Sequence, residues 1–67
     1  MNFRKRLLDF RAKHNLTQKQ LAELFGVHIN MIYRYEHNIR NPSAVNKIKF
    51  ENKMKDYEVK KNENVSL

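Results

Sequence analysis

One stretch of the chain, residues 18–37 with the sequence QKQLAELFGVHINMIYRYEH, constrains the fold more than any other. Gly26 is the only glycine in the chain and follows apolar residues at helical spacing, which predicts a helix that ends in a left-handed cap. Four residues earlier, Ala22 is small enough for a second helix to cross at close range. The apolar pattern then resumes and predicts another short helix from about His28 to His37.

Two short helices joined at one glycine form the outline of a helix-turn-helix. We expect the first helix to bury Leu21, Ala22, Leu24 and Phe25. The angle between the two helices and the layer beneath them are expected to be filled by Leu21, Phe25, Val27, Ile32 and Tyr35. The sequence Thr17-Gln18-Lys19-Gln20 fits a capping box at the start of the first of these helices.

Helical patterns also lie on both sides of this stretch. Phe3, Leu7 and Phe10 recur at helical spacing and predict an amphipathic first helix from Phe3 to Lys13. A turn around Pro42 precedes Ser43, a candidate cap for a last helix. That helix is predicted from Ala44 to about Lys55, with an apolar stripe of Val45, Ile48, Phe50 and Met54.

These elements predict an all-α fold, a compact bundle of four to five helices. We expect the domain to span residues 1–57, and residues 58–67 to form a polar, flexible tail, because the sequence EVKKNENVSL has no periodicity.

The charge balance favours a polyanionic partner. The net charge is +7, with eight basic and three acidic residues in residues 1–41 against six and four in residues 42–67, so the first half is expected to face the polyanion. No apolar run approaches a membrane span and no signal-peptide core follows Met1, so we expect a cytoplasmic protein.

Catalysis and metal binding find little support in the sequence. One glycine excludes glycine-rich phosphate loops, and the chain has no cysteine. No pair among His14, His28 and His37 has the helical spacing of metal ligands. We therefore expect neither an enzyme nor a metal, cofactor or small-molecule site.

The motif resembles the helix-turn-helix of the phage Cro/cI-like (Xre-type) repressor family. The resemblance rests on Gln18, Ala22, Gly26, Ile32, Tyr35 and Glu36 and extends from about Phe3 to about Met54. It implies a lambda repressor-like fold and sequence-specific binding of a homodimer to double-stranded operator DNA. A regulator from a phage or mobile element, acting in the cytoplasm of a bacterial cell or an infected host, is the expected function.

The resemblance also implies roles for individual residues. Five exposed positions match those that face the major groove, namely His28, Ile29, Asn30, Tyr33 and Arg34. Asn pairs bidentately with adenine, Arg with guanine, and Ile contacts a thymine methyl, so the chemistry agrees with this assignment. A second set is expected along the phosphates, namely Thr17, Gln18, Lys19, Arg40 and Asn41. Arg11 and Glu36 match a pair that forms an internal salt bridge.

Three positions depart from the family pattern. His28 stands where Ser or Thr usually caps the recognition helix, so either its ring nitrogen caps the helix or the helix start is shifted. Asn38 replaces a common turn glycine, which is tolerable because Asn visits positive φ readily. No fifth helix for a dimer contact is evident after Met54.

Two alternatives keep the same fold. In the first alternative, the domain is the antitoxin of a toxin–antitoxin pair, and its last helix and tail bind a protein. In the other it is a protein-interaction module that uses an exposed patch of Ile29, Met31 and Tyr33. The basic cluster Arg4-Lys5-Arg6 is either a solvated helix face or a phosphate contact.

Overall fold

The computed structural model describes residues 2–65, and their side chains as far as residue 61. Within that range the chain forms four α-helices and no strands: α1 (Phe3–His14), α2 (Gln18–Phe25), α3 (Ile29–Glu36) and α4 (Ala44–Val65). The predicted all-α bundle is confirmed, with four helices in the described part of the chain. None of these helices is long and apolar enough to cross a membrane.

The predicted helix caps form at the starts of α2 and α4. The Thr17 hydroxyl accepts from the N–H of Gln20 at 3.0 Å, and the Gln20 side chain accepts from the N–H of Thr17 at 2.9 Å. Ser43 Oγ accepts from the N–H of Asn46, in the first turn of α4, at 3.2 Å. These bonds satisfy N–H groups that have no partner within their own helix.

The first three helices each end near a residue with positive φ. Asn15 follows α1 with φ 55°, Gly26 follows α2 with φ 71°, and Asn38 lies two residues after α3 with φ 59°. These are the residue types that adopt the left-handed conformation at least cost. The positive φ predicted for Gly26 and Asn38 is therefore confirmed.

The core joins all four helices around an aromatic cluster centred on Phe50 of α4. Its ring stacks on Phe25 of α2 at 4.5 Å between centroids, and lies 6.0 Å from Phe3 of α1 and 5.9 Å from Tyr35 of α3. The other buried core side chains are Leu7, Phe10, Leu21, Ala22, Ile32 and Met54. A single aromatic side chain thus connects α4 to each of the other helices.

The predicted apolar stripe of α4 is half wrong. Phe50 and Met54 are buried, but Val45 and Ile48 are 63% and 64% exposed. At about 100° per residue, Val45 and Ile48 lie on the side of the helix opposite Phe50, so one straight helix cannot bury both pairs against the same core. Leu24, predicted to be buried, is only half-buried, packed against the edge of the core.

The fourth helix continues past the predicted end near Lys55 as far as Val65, and includes much of the predicted tail. Tyr57 packs edge-on against Phe10 at 5.7 Å, and Glu58 accepts from Lys13 Nζ at 2.9 Å and contacts His14 Nε2 at 3.1 Å. The bonds from Lys13 and His14 lower the pKa of Glu58 below its ordinary value. These contacts with α1 attach the second half of α4. Residues 66 and 67 lie outside the described range.

The conformation of Gly26, and not the space around it, makes a larger residue costly. A Cβ built at this position would meet nothing within 4 Å, yet φ is +71°. We therefore expect Gly26→Ala to lower the free energy of unfolding by about 1–2 kcal/mol, the cost of the left-handed conformation for an ordinary residue. Gly26→Asn should lower the free energy of unfolding clearly less than Gly26→Ala does, as measured by urea denaturation. Equal losses for both variants would show that the conformation is not the cause.

Candidate nucleic-acid interface

The junction between α2 and α3 is short and closed by hydrogen bonds. The N–H of Val27 donates to Ala22 O at 3.0 Å, and the N–H of Gly26 donates to Glu23 O at 3.2 Å. Ala22 is 4% exposed, as expected for a small residue under a crossing helix. Only residues 26–28 separate the two helices. This junction sets the direction in which α3 leaves α2.

The solvent-facing side of α3 carries four of the five residues predicted to face the groove, and the fifth, His28, is the residue that caps the helix. His28, Ile29, Asn30, Tyr33 and Arg34 are exposed, while Ile32, Tyr35 and Glu36 are buried. At about 100° per residue, the four exposed helical positions span an arc of about 140°. The structure therefore brings these four side chains together on one surface, which the core leaves free, and the exposed His28 adjoins the first turn of the helix.

His28 caps α3 with its ring. Its Nδ1 accepts a hydrogen bond from the N–H of Asn30 at 3.1 Å, and its backbone is extended, with φ −71° and ψ 147°. Of the two possibilities left open by the sequence, the ring nitrogen thus does the capping. The recognition helix begins at Ile29 without a shift in register.

Tyr33 packs partly on a neighbour while it remains accessible. Its ring lies 4.0 Å from the ring of His37, one turn later, and the residue is 47% exposed. Met31, expected at the surface together with Ile29 and Tyr33, is instead half-buried against the core. The apolar patch proposed for a protein-interaction module is therefore smaller than the sequence suggests.

A buried carboxylate fixes α3 to the two preceding helices. Glu36 is 5% exposed, and both of its carboxylate oxygens accept from Arg11 Nη1 at 2.7 Å. Gln18 Nε2 donates to the same carboxylate at 2.8 Å. Arg11 is held in turn by its Nε, which donates to Leu16 O at 3.0 Å. The ion pair implied by the family resemblance is therefore present, with a third partner.

The Gln18 side chain has a partner within the protein. Its amide nitrogen, expected at a DNA phosphate, donates to Glu36 at 2.8 Å, and the residue is half-buried. The backbone N–H groups at the start of α2 are still available to donate to an anion, because the first N–H groups of a helix have no intrahelical partner. Thr17 and Lys19, on either side, are exposed.

The turn after α3 brings two more predicted phosphate ligands next to the recognition helix. The N–H groups of Ile39 and Arg40 both donate to Arg34 O, at 2.9 and 3.3 Å. Burial raises the pKa of the Tyr35 hydroxyl, and the cation of Arg40 opposes that rise. Arg40 and Asn41 are exposed beyond the end of α3. The guanidinium group of Arg40 therefore lies near the end of α3.

The basic cluster near the N-terminus makes contacts within the protein. Arg4 Nε donates to Glu36 O at 2.6 Å, Arg6 pairs with Glu51 at 3.1 Å, and Lys5 pairs with Asp9 at 3.7 Å. No local sequence pattern predicts the contact of Arg4 with the end of α3, because its partner lies 32 residues away. Among the described residues, no three His, Cys, Asp or Glu side chains are grouped to hold a metal ion.

The Glu36 network should contribute more to stability than the other ion pairs. We expect Arg11→Ala to lower the free energy of unfolding by about 2–3 kcal/mol, because it leaves a buried carboxylate without its cation. Denaturant titration measures the loss. The double variant Arg11→Ala, Glu36→Ala removes both charges, and its loss in the free energy of unfolding should be smaller than the sum of the losses of the two single variants.

Arg6→Ala is the matched control. Its partner Glu51 is 45% exposed, so the loss should stay within about 1 kcal/mol. Similar losses for Arg11→Ala and Arg6→Ala would contradict a special role for the buried carboxylate.

Comparison with known proteins identifies the family. The sequence profile of the Helix-turn-helix family matches residues 7–54, which is most of the chain and includes α2, the turn and α3. Neither a curated protein nor a solved structure matches the chain. The match covers the capped junction, the buried Glu36 and the exposed face of α3. The chain belongs to the Cro/cI-like, Xre-type helix-turn-helix family of DNA-binding transcription regulators.

Proposed function

We propose that this protein is a sequence-specific transcriptional repressor that inserts α3 into the major groove of an operator. The observation that carries the proposal is the placement of His28, Ile29, Asn30, Tyr33 and Arg34 on one exposed face of a helix whose other face is fixed in the core. A helix of this kind fits the major groove with its side chains against the base edges.

The chemistry of this face suits base recognition. Arg34 offers a bidentate donor for guanine, Asn30 offers a donor and an acceptor for adenine, and Ile29 offers an apolar contact for a thymine methyl. Each good bidentate contact discriminates against a wrong base by about 1–3 kcal/mol. Tyr33 extends the surface with a ring and a hydroxyl.

Phosphate contacts flank this face on both sides. At the start of α2, the hydroxyl of Thr17, the backbone N–H of Gln18 and the ammonium group of Lys19 are the donors. Beyond the end of α3, Arg40 and Asn41 take the same role. These contacts add affinity and fix the register of the protein on the duplex, but carry no direct sequence information.

Repression by occlusion requires only that the bound protein covers a promoter. An origin in a phage or mobile element rests on the family resemblance, and action in the cytoplasm of a bacterial cell or infected host follows from a double-stranded DNA partner. No catalytic step and no small-molecule effector form part of this proposal.

The functional proposal is tested by selecting bound sites from a random duplex library and titrating them at two salt concentrations. Arg34→Ala should remove the preference at one base pair, with a loss of about 1–3 kcal/mol at that site. An unchanged site preference would remove Arg34 from the base-contacting set.

Arg40→Ala is the matched arginine control. It should weaken binding to all sequences alike and reduce the dependence of log K on log salt by about one unit. Loss of base discrimination would contradict its assignment to the backbone. Salt-sensitive binding without any motif in the wild type would overturn the proposal as a whole.

The repressor is proposed to act as a homodimer that pairs through the outward face of α4. Apolar side chains on this face are exposed: Val45 at 63%, Ile48 at 64% and Val59 at 46%. Together with the exposed Asn52 and Lys55 they recur three and four residues apart, which is the spacing of a helix-pairing seam. We call this set of five residues the outer stripe.

Charge complementarity favours an antiparallel pair. The exposed Lys49 and Asp56 lie on the same edge of the outer stripe, so in an antiparallel arrangement each faces the other across the pair. Val45 then meets Val59, and the two Asn52 side chains meet at the centre, where each amide both donates and accepts. A parallel pair would instead bring Asp56 towards Glu51 of the second copy.

Sedimentation equilibrium tests this interface. Ile48→Asp should weaken self-association at least about tenfold, or about 1.4 kcal/mol, because it buries a carboxylate in the pair. Ile39→Asp is the control, since Ile39 is 65% exposed but lies outside α4. A monomer at all concentrations would overturn the homodimer. A stable complex with a different protein on this face would also overturn it, and would favour the antitoxin or interaction role.

A further inference from the structure

The cap of the recognition helix determines which atom of His28 is available to a ligand. The N–H of Asn30 points at Nδ1 at 3.1 Å, and a backbone N–H is always a donor. Nδ1 must therefore carry the lone pair. Turning the ring over would bring a carbon to this position, and carbon cannot accept, so the bond fixes the orientation of the ring as well.

In the neutral ring of His28, the proton must then lie on the other nitrogen, Nε2. In neutral imidazole one nitrogen accepts and the other donates, so a ring that accepts at Nδ1 carries its proton on Nε2. His28 is exposed, and among the residues with described side chains no group bonds to Nε2. The helix thus presents an N–H donor at its first turn, on the surface that also carries Ile29 and Asn30.

This differs from the cap residues that are usual in helices. A Ser or Thr hydroxyl that caps a helix keeps its proton free to rotate and offers lone pairs as well. The capped His28 ring offers one donor in a fixed direction and no acceptor. A ligand group that itself can only donate will therefore find no partner at this position.

From this geometry we infer that His28 is a specificity residue that contacts a hydrogen-bond acceptor on DNA and rejects cytosine. The inference rests on the proposed function. Guanine, adenine and thymine all offer an acceptor in the major groove, at N7, O6 or O4, whereas the edge of cytosine offers only the N4 amino donor. A phosphate oxygen is an acceptor of the same chemistry, and the experiment distinguishes the two.

The tautomer is measured first, on the free protein without DNA. Long-range proton–nitrogen correlation spectra of the nitrogen-15-labelled chain, in slightly alkaline buffer, should show His28 protonated at Nε2. Protonation at Nδ1 would overturn the inference and leave the proposed function intact. The measurement does not depend on DNA binding, so the failures of the two are distinguishable.

Two nearly isosteric variants then test the contact with DNA. Asn and Asp at position 28 can both accept from the Asn30 N–H, as good cap residues do, but Asn leaves an amide donor outside and Asp leaves only an acceptor. His28→Asn should keep the selected sequence. His28→Asp should change the preference at one base pair about tenfold in favour of cytosine, whose amino group pairs with a carboxylate.

The remaining outcomes decide the source of the acceptor. If His28→Asp leaves the selected bases unchanged, and the uncharged His28→Ala also weakens binding to all sequences alike, the acceptor is a phosphate oxygen and the inferred rejection of cytosine is wrong. If His28→Asp matches the wild type in affinity and in sequence, no donor at this position is used and the inference fails. Thermal melting checks that both variants keep the cap, with His28→Ala as the uncapped control, which should melt lower.

Discussion

The buried carboxylate of Glu36 is the interaction on which the geometry of the recognition helix depends. It stands at the end of α3 and accepts from Arg11 of α1 and Gln18 of α2, at 2.7 and 2.8 Å. The backbone carbonyl of the same residue accepts from Arg4. An isolated buried charge would be expensive, so the carboxylate stabilises the fold only while its partners stay in place. It therefore links the position of α3 to both preceding helices.

The local features of the site could be predicted from the sequence because each is decided within a few residues. The capping box at Thr17, the left-handed Gly26 and the exposed side of α3 depend on short-range sterics and on helical periodicity. The pairing of Arg11 with Glu36 spans 25 residues, and only the family resemblance suggested it. The family resemblance thus predicts a long-range ion pair that helical periodicity and capping patterns cannot predict.

Two features of α4 differ from the prediction. Helical periodicity places Val45 and Ile48 opposite Phe50, and the packing of Phe50, Met54 and Tyr57 on distant segments decides which of the two sides is buried. The polar sequence EVKKNENVSL predicts a helix that ends near Lys55, whereas contacts of Tyr57 and Glu58 with α1 stabilise the helix beyond that point. The bond of the Gln18 side chain to Glu36, 18 residues away, likewise follows no local pattern.

The recognition surface is a property of the whole bundle and not of α3 alone. Both α2 and α3 contain eight residues, which is shorter than an isolated helix needs to be stable in water. Their conformation must therefore come from the core, where Phe50 of α4 contacts Phe25 and Tyr35. Because α4 also carries the outer stripe on its opposite side, one helix connects the core that orders the exposed face of α3 with the surface proposed for pairing. A change in the packing of Phe50 would therefore affect both the exposed face of α3 and the outer stripe.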